Sequence, residues 1–368
     1  MNEYLKKLID KIVWWIPFRN LRNSIRELII INQEKILNIE NKISSIEKEK
    51  NENLENQLKE KYKSLIDKTT NLLIPQENEE IKRMMFKNNV YIVEIGISSY
   101  CNRKCWFCPN YTIDRKSNVT ELDEELFLKL IMELKEIDYS GYIYLHRYNE
   151  PLYNKELLIK RITQINEHLP NSKIIIFTNG DYLNIEYLEI LRELNVKNML
   201  ISYYYDSYDK NIPFDIENII KPGIEKLIKK LNINNYKEII HTEDMYRVQS
   251  EYKDMSIIYK ADNFKNTATS RGNSVKDINL AKRTIQCFMP VVSIQVDYDG
   301  NYTPCCELRS DIDEHKKYIL GNIATNTVFD IHTNKKMTEF RKDIFTIGGK
   351  KDVCYYCKQS EYNMPGYF

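Results

Sequence analysis

The residues with the clearest chemical meaning are three cysteines on one short stretch, Cys101, Cys105 and Cys108, spaced C-x3-C-x2-C. Thiolates at such spacing can hold a metal cluster, and four of them usually close an iron–sulfur site. Three protein ligands leave one position open, which is how a catalytic metal site admits a substrate or cofactor. A structural zinc loop would need a fourth Cys or His nearby, but none occurs before His146. We therefore expect catalytic metal chemistry at this stretch.

This cysteine stretch, with the aromatic Phe107 directly before its last cysteine, resembles the cluster loop of the radical S-adenosylmethionine (SAM) superfamily. The resemblance implies that Cys101, Cys105 and Cys108 ligate a 4Fe–4S cluster. In that family the open iron binds the amino and carboxylate groups of SAM. An electron from the cluster then cleaves SAM to methionine and a 5′-deoxyadenosyl radical.

The other five cysteines lie near the C-terminal end, where Cys287 and Cys305 flank the hairpin-type turn Asp299-Gly300. Together with Cys354 and Cys357 they resemble the twitch or SPASM extension of the superfamily, which carries an auxiliary 4Fe–4S cluster. The resemblance implies Cys287, Cys305, Cys354 and Cys357 as its ligands. Cys306 is surplus and could replace Cys305 or simply be buried. A zinc ion is the alternative occupant, since four thiolates also suit zinc.

Further motifs follow predicted strands in the order expected of the superfamily. Glu150-Pro151-Leu152 matches the acidic half of its SAM-ammonium motif, although Tyr148 and Asn149 replace the usual glycines. A surface turn is the alternative, because Pro after Glu is ordinary turn chemistry. Thr178-Asn179-Gly180 and Ser202 match later family positions, which implies contacts with SAM.

Two further residues have alternative roles. Arg271, in Ser270-Arg271-Gly272, either orients a substrate alkoxide or contacts SAM; a fixed cation favours a deprotonated oxygen. Phe107 packs either near the adenine or beneath the cluster loop.

Alternating strand and helix patterns must position these residues. The predicted strands cover 90–97, 142–145, 173–177, 196–201, 237–241 and 255–259, and the predicted helices 121–135, 154–167, 184–194 and 215–231. Such repetition indicates α/β structure with a parallel sheet. About six units resemble the partial (β/α)6 barrel of radical SAM enzymes, with reactive residues at the C-terminal strand ends. We assign this barrel to 88–279 and the auxiliary domain to 280–368.

The N-terminal quarter differs from the rest of the chain. Over 1–30, Trp14 and Trp15 stand among six basic residues, which favours the surface of an anionic membrane over packing on the catalytic domain. No apolar run approaches the roughly 18 residues of a membrane span, so we expect a cytoplasmic protein that could be peripheral at the inner face. Apolar residues seven apart, such as Ile29, Ile36 and Ile43, indicate a coiled coil. We assign 31–87 to this coiled coil and a linker, which could form a homodimer or a solvated spacer.

The substrate is less constrained than the cofactors. The sequence contains 54 Lys and Arg residues and 53 Asp and Glu residues. It therefore lacks the excess positive charge that is typical of nucleic-acid-binding proteins. The single auxiliary cluster resembles the radical SAM dehydrogenase of an aminoglycoside pathway, so we expect oxidation of a saccharide or polyol. Peptide modification and a non-catalytic iron–sulfur or zinc scaffold are the alternatives. A reductase, flavodoxin or ferredoxin would supply electrons.

Overall fold

The fold is seen in a computed structural model, which describes residues 71–345 and 348–358 together with Ser24, Glu27 and Asn32. Apart from Ser24 and Glu27, the predicted membrane-binding segment at 1–30 lies outside the described residues, as does most of the predicted coiled coil. Among those described, no helix is both long enough and apolar enough to cross a bilayer.

One ten-stranded sheet organises the chain, in the order β10-β9-β8-β1-β2-β3-β4-β7-β6-β5. Its strands are β1 Ile92–Ile95, β2 Tyr142–Tyr144, β3 Lys173–Thr178, β4 Asn198–Ser202, β5 Tyr236–His241, β6 Met245–Tyr252, β7 Met255–Asp262, β8 Ser293–Val296, β9 Asn301–Thr303 and β10 Gly321–Asn322. The strands from β8 to β7 are all parallel, and both edges end in antiparallel hairpins. The parallel strands and their helical crossovers form the partial (β/α)6 barrel that the sequence predicts.

The α-helices are α1 Glu79–Asn89, α2 Glu124–Glu136, α3 Lys155–His168, α4 Ile185–Glu193, α5 Lys221–Lys230, α6 Phe264–Thr267, α7 Met289–Val292, α8 Val328–Thr333 and α9 Lys335–Phe345. Short 3-10 helices occupy Pro109–Tyr111, Pro151–Tyr153, Asp313–Tyr318 and Asp352–Cys354, and a π-helix occupies Ile216–Ile220.

Helix α2 shows why these segments pack as they do. The carboxylate of Asp123 accepts hydrogen bonds from the backbone N–H groups of Glu125 and Leu126, which caps the helix start. Its apolar face, with Phe127 and Leu130, is fully buried against the sheet. Each such side chain contributes about 1.5–3 kcal/mol when buried, so the helices fix the strand ends that carry the site.

The predicted fifth strand is present but is not a parallel unit of the barrel. Strand β5 pairs antiparallel with β6, which the sequence analysis missed, and β6 pairs antiparallel with β7. Tight turns cause the reversal, and one of them places Lys253 at φ 54°. The remaining parallel positions therefore belong to β7 and to β8, which joins the sheet beside β1.

Part of the predicted linker is also ordered structure. Helix α1 begins after Asn78, whose side chain accepts a hydrogen bond from the Ile81 N–H. Its Phe86 ring meets Phe329 of α8 edge to face at 5.2 Å between centroids. The body of the fold therefore begins earlier than the predicted boundary at residue 88.

Candidate active site

A cavity of about 360 Å³ opens at the C-terminal ends of the parallel strands. Its wall includes every residue that the sequence predicts for the radical cluster, for SAM and for the substrate, namely Cys101, Cys105, Phe107, Cys108, Glu150, Thr178, Asn179, Ser202 and Arg271. Motifs far apart in the chain therefore converge on one space.

The loop that carries the three cysteines is held by contacts on both sides. Phe107 stacks on Phe264 with ring centroids 3.6 Å apart, and it also faces the cavity. The guanidinium of Arg103 binds the carboxylate of Asp181 at 2.6 Å. Because both anchors lie on other elements, the loop is positioned before any ligand binds.

The cysteine loop fits an iron–sulfur cluster with one open position. Burial raises the pKa of the Cys101 thiol to about 12 and also raises the pKa values of Cys105 and Cys108. A bound cation reverses this preference, because metal ligation stabilises thiolates. The three thiols face a cavity, where a fourth ligand can enter.

The carboxylate of Glu150 joins the ends of β2 and β3. It accepts hydrogen bonds from the Thr178 hydroxyl at 2.5 Å, from the Asn179 N–H at 2.8 Å and from the Leu152 N–H at 3.1 Å. Burial raises the pKa of Glu150 to about 7, against the opposing effect of these bonds. The buried carboxylate of Glu150 therefore holds the Thr178-Asn179-Gly180 turn in place and also lines the cavity.

The Asn179 side chain and Ser202 also lie at the cavity wall. The Asn179 side chain donates to the Asn102 side-chain oxygen at 2.8 Å, which links the turn to the cysteine loop. Ser202 is the last residue of β4 and is buried at the cavity wall.

Tyr148 occupies a backbone conformation that normally favours glycine. Its φ is 62°, at a position where the superfamily motif usually has glycine. The Arg309 guanidinium lies 4.6 Å from its ring centroid and that of Arg271 lies 5.5 Å away. Its hydroxyl donates to the Cys306 carbonyl at 2.8 Å. These contacts hold the tyrosine in the strained conformation.

Arg271 reaches the cavity as part of an ion pair. Its guanidinium binds the carboxylate of Glu307 at 3.0 Å, and that carboxylate also accepts a bond from the Thr269 hydroxyl at 2.5 Å. Burial opposes the charged form of Arg271, but the neighbouring Glu307 raises its pKa well above the ordinary value. A fixed cation therefore faces the same space as the cluster loop.

The cavity wall also includes Glu94 and Arg147, which the sequence analysis missed, and Cys306, for which it left open a place at the auxiliary site or simple burial. Burial raises the pKa of Glu94 to about 7, although Arg147 and Arg271 favour its ionised form. Arg147 binds Asp297 at 2.7 Å and lies 3.5 Å from Glu94. Glu94 is the one acidic residue within the apolar run at 90–97. That position is the feature of the sequence that could have identified it as a functional residue.

The remaining predicted cysteines form a second group outside the cavity wall. Cys305, Cys306 and Cys354 pack against the small buried cluster that contains Cys287. Burial raises the pKa of the Cys305 thiol, and the neighbouring thiols of Cys306, Cys354, Cys357 and Cys287 raise it further. Arg283 links their two chain segments, because it donates from its side chain to the Gln286 and Cys357 carbonyls and from its backbone N–H to the Tyr355 carbonyl. Cys306 also lines the cavity, where Glu307, Glu94, Arg271 and Arg147 are its charged neighbours.

An iron–sulfur cluster and a single zinc ion require different arrangements of four cysteines. Over residues 71–345 and 348–358, no three His, Cys, Asp or Glu side chains converge closely enough to hold one ion. Four thiolates around zinc would need sulfur atoms about 2.3 Å from a common centre. Thiolates around a 4Fe–4S cluster each bind a different iron and stand farther apart.

Comparison with known proteins agrees with this geometry. The family model of the radical SAM superfamily matches residues 95–243, and that of the SPASM iron–sulfur cluster-binding domain matches residues 287–359. The S-adenosyl-L-methionine-dependent 2-deoxy-scyllo-inosamine dehydrogenase of Niallia circulans is 28% identical over 269 residues, which are 72% of this chain and 92% of that protein.

A solved structure shows the same architecture. The crystal structure of BtrN in complex with AdoMet and 2-DOIA aligns with a TM-score of 0.51 and 25% identity, over 69% of this chain and 87% of that one. The chain is an oxidoreductase-type enzyme that uses SAM and two 4Fe–4S clusters. It belongs to the radical SAM superfamily and carries a C-terminal SPASM iron–sulfur domain.

Proposed function

We propose that this enzyme oxidises a secondary ring alcohol of a cyclitol or amino sugar to a ketone. The observation that carries the proposal is the placement of Arg271, fixed by Glu307, in the cavity that the three cluster-loop cysteines line. The similarity to a 2-deoxy-scyllo-inosamine dehydrogenase over 92% of that protein supports the same substrate class.

The cysteines would divide between the two clusters. Cys101, Cys105 and Cys108 would hold the radical cluster, and Cys287, Cys305, Cys354 and Cys357 the auxiliary cluster. When bound, SAM and the clusters supply single-electron chemistry, with a 5′-deoxyadenosyl radical to take the carbinol hydrogen and an acceptor for the electron that remains. A flavodoxin- or ferredoxin-type reductant would supply the first electron.

The strand-end residues would bind and orient SAM. Glu150 and the Thr178-Asn179-Gly180 turn would face its ammonium group, because a buried carboxylate is stabilised by a nearby cation. Ser202 would add a polar contact, and the edge of Phe107 that faces the cavity would lie against the adenosine.

Arg271 would orient the substrate hydroxyl. A fixed cation in a water-poor site stabilises the developing alkoxide, so the hydroxyl proton leaves more readily. Glu94, on the same cavity wall, would bind an amine of an amino sugar, since its ionised carboxylate is the natural partner of an ammonium group.

The test is an anaerobic incubation of the reduced, cluster-loaded protein with SAM and a panel of candidate substrates. The panel contains 2-deoxy-scyllo-inosamine, nucleotide-linked sugars, lipid-linked sugars and short peptides. We expect a sugar or cyclitol two hydrogens lighter, formed in step with 5′-deoxyadenosine. Turnover confined to a peptide, with a crosslinked or epimerised residue as product, would overturn the proposal.

A further inference from the structure

Two basic side chains are buried beside the auxiliary cysteine group. Arg283 is 1% exposed and Lys350 is 4% exposed. A buried cation loses its hydration, so a fold keeps one where neighbouring groups stabilise its charge. Neither residue belongs to the wall of the active-site cavity. Their position therefore relates them to the auxiliary cysteines and not to the substrate.

Arg283 joins the two stretches of chain that carry these cysteines. Its guanidinium donates hydrogen bonds to the Gln286 carbonyl at 2.6 Å and to the Cys357 carbonyl at 3.3 Å. Its backbone N–H donates to the Tyr355 carbonyl at 2.8 Å. Gln286 directly precedes Cys287 in the chain. The charge of Arg283 is therefore held between Cys287 and the C-terminal cysteine pair.

Lys350 lies next to Arg283 and close to the same thiols. Its backbone N–H donates to the Arg283 carbonyl at 3.1 Å. Burial and the charge of Arg283 lower the pKa of Lys350, whereas the thiols of Cys354 and Cys287 raise it. Burial raises the pKa of the Cys354 thiol to about 12, and Arg283 and Lys350 both oppose that rise. Two positive charges therefore act on one thiol of the group.

The acidic residue Glu307 has the opposite effect on this thiol. It raises the pKa of Cys354, whereas the two buried cations lower it. The Glu307 carboxylate binds the Arg271 guanidinium at 3.0 Å, so its charge is offset within an ion pair of the active-site cavity. The positive charges of Arg283 and Lys350 lie on the auxiliary side of that pair.

We propose that Arg283 and Lys350 raise the reduction potential of the auxiliary cluster and thereby make it the electron acceptor of the reaction. Reduction adds one negative charge to a cluster, and a buried positive charge nearby stabilises that form. Two clusters of the same type can take different roles only when their surroundings separate their potentials. Arg283 and Lys350 are positioning residues in this account, because they act through the cluster and not on the substrate.

The role in turnover rests on the proposed function. The carbinol radical gives up one electron and its hydroxyl proton, and the ketone forms. The proton passes to solvent, and Arg283 and Lys350 stabilise the electron at the auxiliary cluster. An oxidised carrier of the flavodoxin or ferredoxin type then removes that electron. The effect of the two charges on the potential does not depend on which substrate is oxidised, so it can be measured separately.

The first test measures this potential without substrate. In Cys105→Ala, where the auxiliary cluster holds the iron, a redox titration follows the reduced cluster by electron paramagnetic resonance. We expect Lys350→Gln to shift the reduction equilibrium about tenfold toward the oxidised form, a fall of about 59 mV for one electron. Lys350→Arg keeps the charge and should keep the parental potential. An unchanged potential in Lys350→Gln would overturn the proposal.

Lys351→Gln is the matched control for the loss of one positive charge. Lys351 is adjacent to Lys350 in the chain but is exposed, so solvent and salt screen its charge. Its replacement should shift the equilibrium less than about twofold. A shift as large as that of Lys350→Gln would overturn the proposal, because burial of the charge would then not matter.

Arg283 needs a pair of variants, because it also holds the two cysteine segments together. We expect Arg283→Lys to keep the iron and the parental potential. Arg283→Gln should lower the potential by a shift similar to that of Lys350→Gln. Arg283→Gln with full iron and the parental potential would overturn the role of Arg283. The Lys350 variants decide the proposal if removal of the guanidinium costs the cluster.

The second test connects the potential to turnover. With the sugar or cyclitol that is oxidised in the panel, Lys350→Gln should form at least about twofold less ketone per 5′-deoxyadenosine, because the carbinol radical loses its electron less readily. A lowered potential with an unchanged ratio would overturn the role in turnover. A panel with no oxidised sugar would overturn the proposed function, whereas the shift in potential would still support the effect of the two charges.

Discussion

Two acids on the cavity wall, Glu94 and Glu150, differ in what surrounds them. Burial raises the pKa of both Glu94 and Glu150 to about 7. Glu150 accepts hydrogen bonds from Thr178, Asn179 and Leu152, so its carboxylate belongs to the turn that we propose faces SAM. Glu94 lies near Arg147 at the longer distance of 3.5 Å, which leaves its carboxylate available to a substrate amine.

The binding of an amino sugar should therefore depend on pH through Glu94. Above its pKa of about 7 the carboxyl is ionised and attracts the ammonium group; below it the carboxyl is neutral. We expect the Kd of an aminocyclitol, measured by calorimetry, to rise as pH falls below 7, by up to about tenfold per pH unit. Glu94→Gln should bind weakly at every pH.

A neutral cyclitol without the amine is the control, and its Kd should not follow this pH dependence. A Kd for the aminocyclitol that stays flat between pH 6 and 8 in the unmodified enzyme would contradict the role of Glu94.

At the scale of elements, the turn after β2 connects the SAM-facing and auxiliary parts of the site. Tyr148 is strained at φ 62°, which costs a non-glycine residue about 1–2 kcal/mol. Its hydroxyl bond and its contacts with Arg309 and Arg271 offset that cost by roughly similar amounts. The turn therefore helps to hold in place the segment that carries Cys305.

Replacement of Tyr148 should loosen the auxiliary site more than it destabilises the fold. In a Cys105→Ala background, where the auxiliary cluster holds the iron, Tyr148→Gly should lose iron to a chelator severalfold faster. Its Tm should change little, because the relieved strain offsets the lost contacts. Tyr148→Phe loses only the hydroxyl hydrogen bond, so its rate of iron loss should lie between those of the Cys105→Ala parent and Tyr148→Gly. Equal rates of iron loss in the Cys105→Ala parent and in both Tyr148 variants would rule out this role of the turn.

The barrel elements were predictable because their apolar runs have strand and helix periodicity. Strand β6 was missed, since the turns that flank it lack glycine and proline and rely on residues such as Lys253 at φ 54°. The motifs at the strand ends all reach the cavity because parallel strands bring their C-terminal ends together. The placement of Glu94, Arg147 and Cys306 at the cavity could not be predicted this way, because the direction of a side chain depends on strand register and long-range pairing.

At the scale of the whole molecule, the two cysteine groups lie on different parts of the chain and should be separable. Cys105→Ala should abolish 5′-deoxyadenosine formation, because the radical cluster loses a ligand. Cys354→Ala should lose about half the iron yet still cleave SAM slowly, since the radical cluster keeps its own ligands. Purified protein with stoichiometric zinc and no iron after anaerobic work would contradict both assignments.

The N-terminal segment leads to a prediction of its own. Six basic residues around Trp14 and Trp15 over 1–30 should bind an anionic membrane surface, at about 1 kcal/mol each near the surface. Sedimentation with phosphatidylglycerol vesicles should therefore be salt-sensitive and should be lost when residues 1–30 are removed. Neutral vesicles are the control, and equal partitioning with and without the segment would exclude this role.

The most direct test of the central claim is the mass of 5′-deoxyadenosine formed from a substrate deuterated at its carbinol carbon. With deuterated 2-deoxy-scyllo-inosamine, reduced enzyme and SAM, we expect 5′-deoxyadenosine one mass unit heavier and a matching amount of ketone. That result would show that the cavity places the carbinol hydrogen where the radical takes it. Unlabelled 5′-deoxyadenosine, with the cyclitol unchanged, would contradict the proposed oxidation of a ring alcohol.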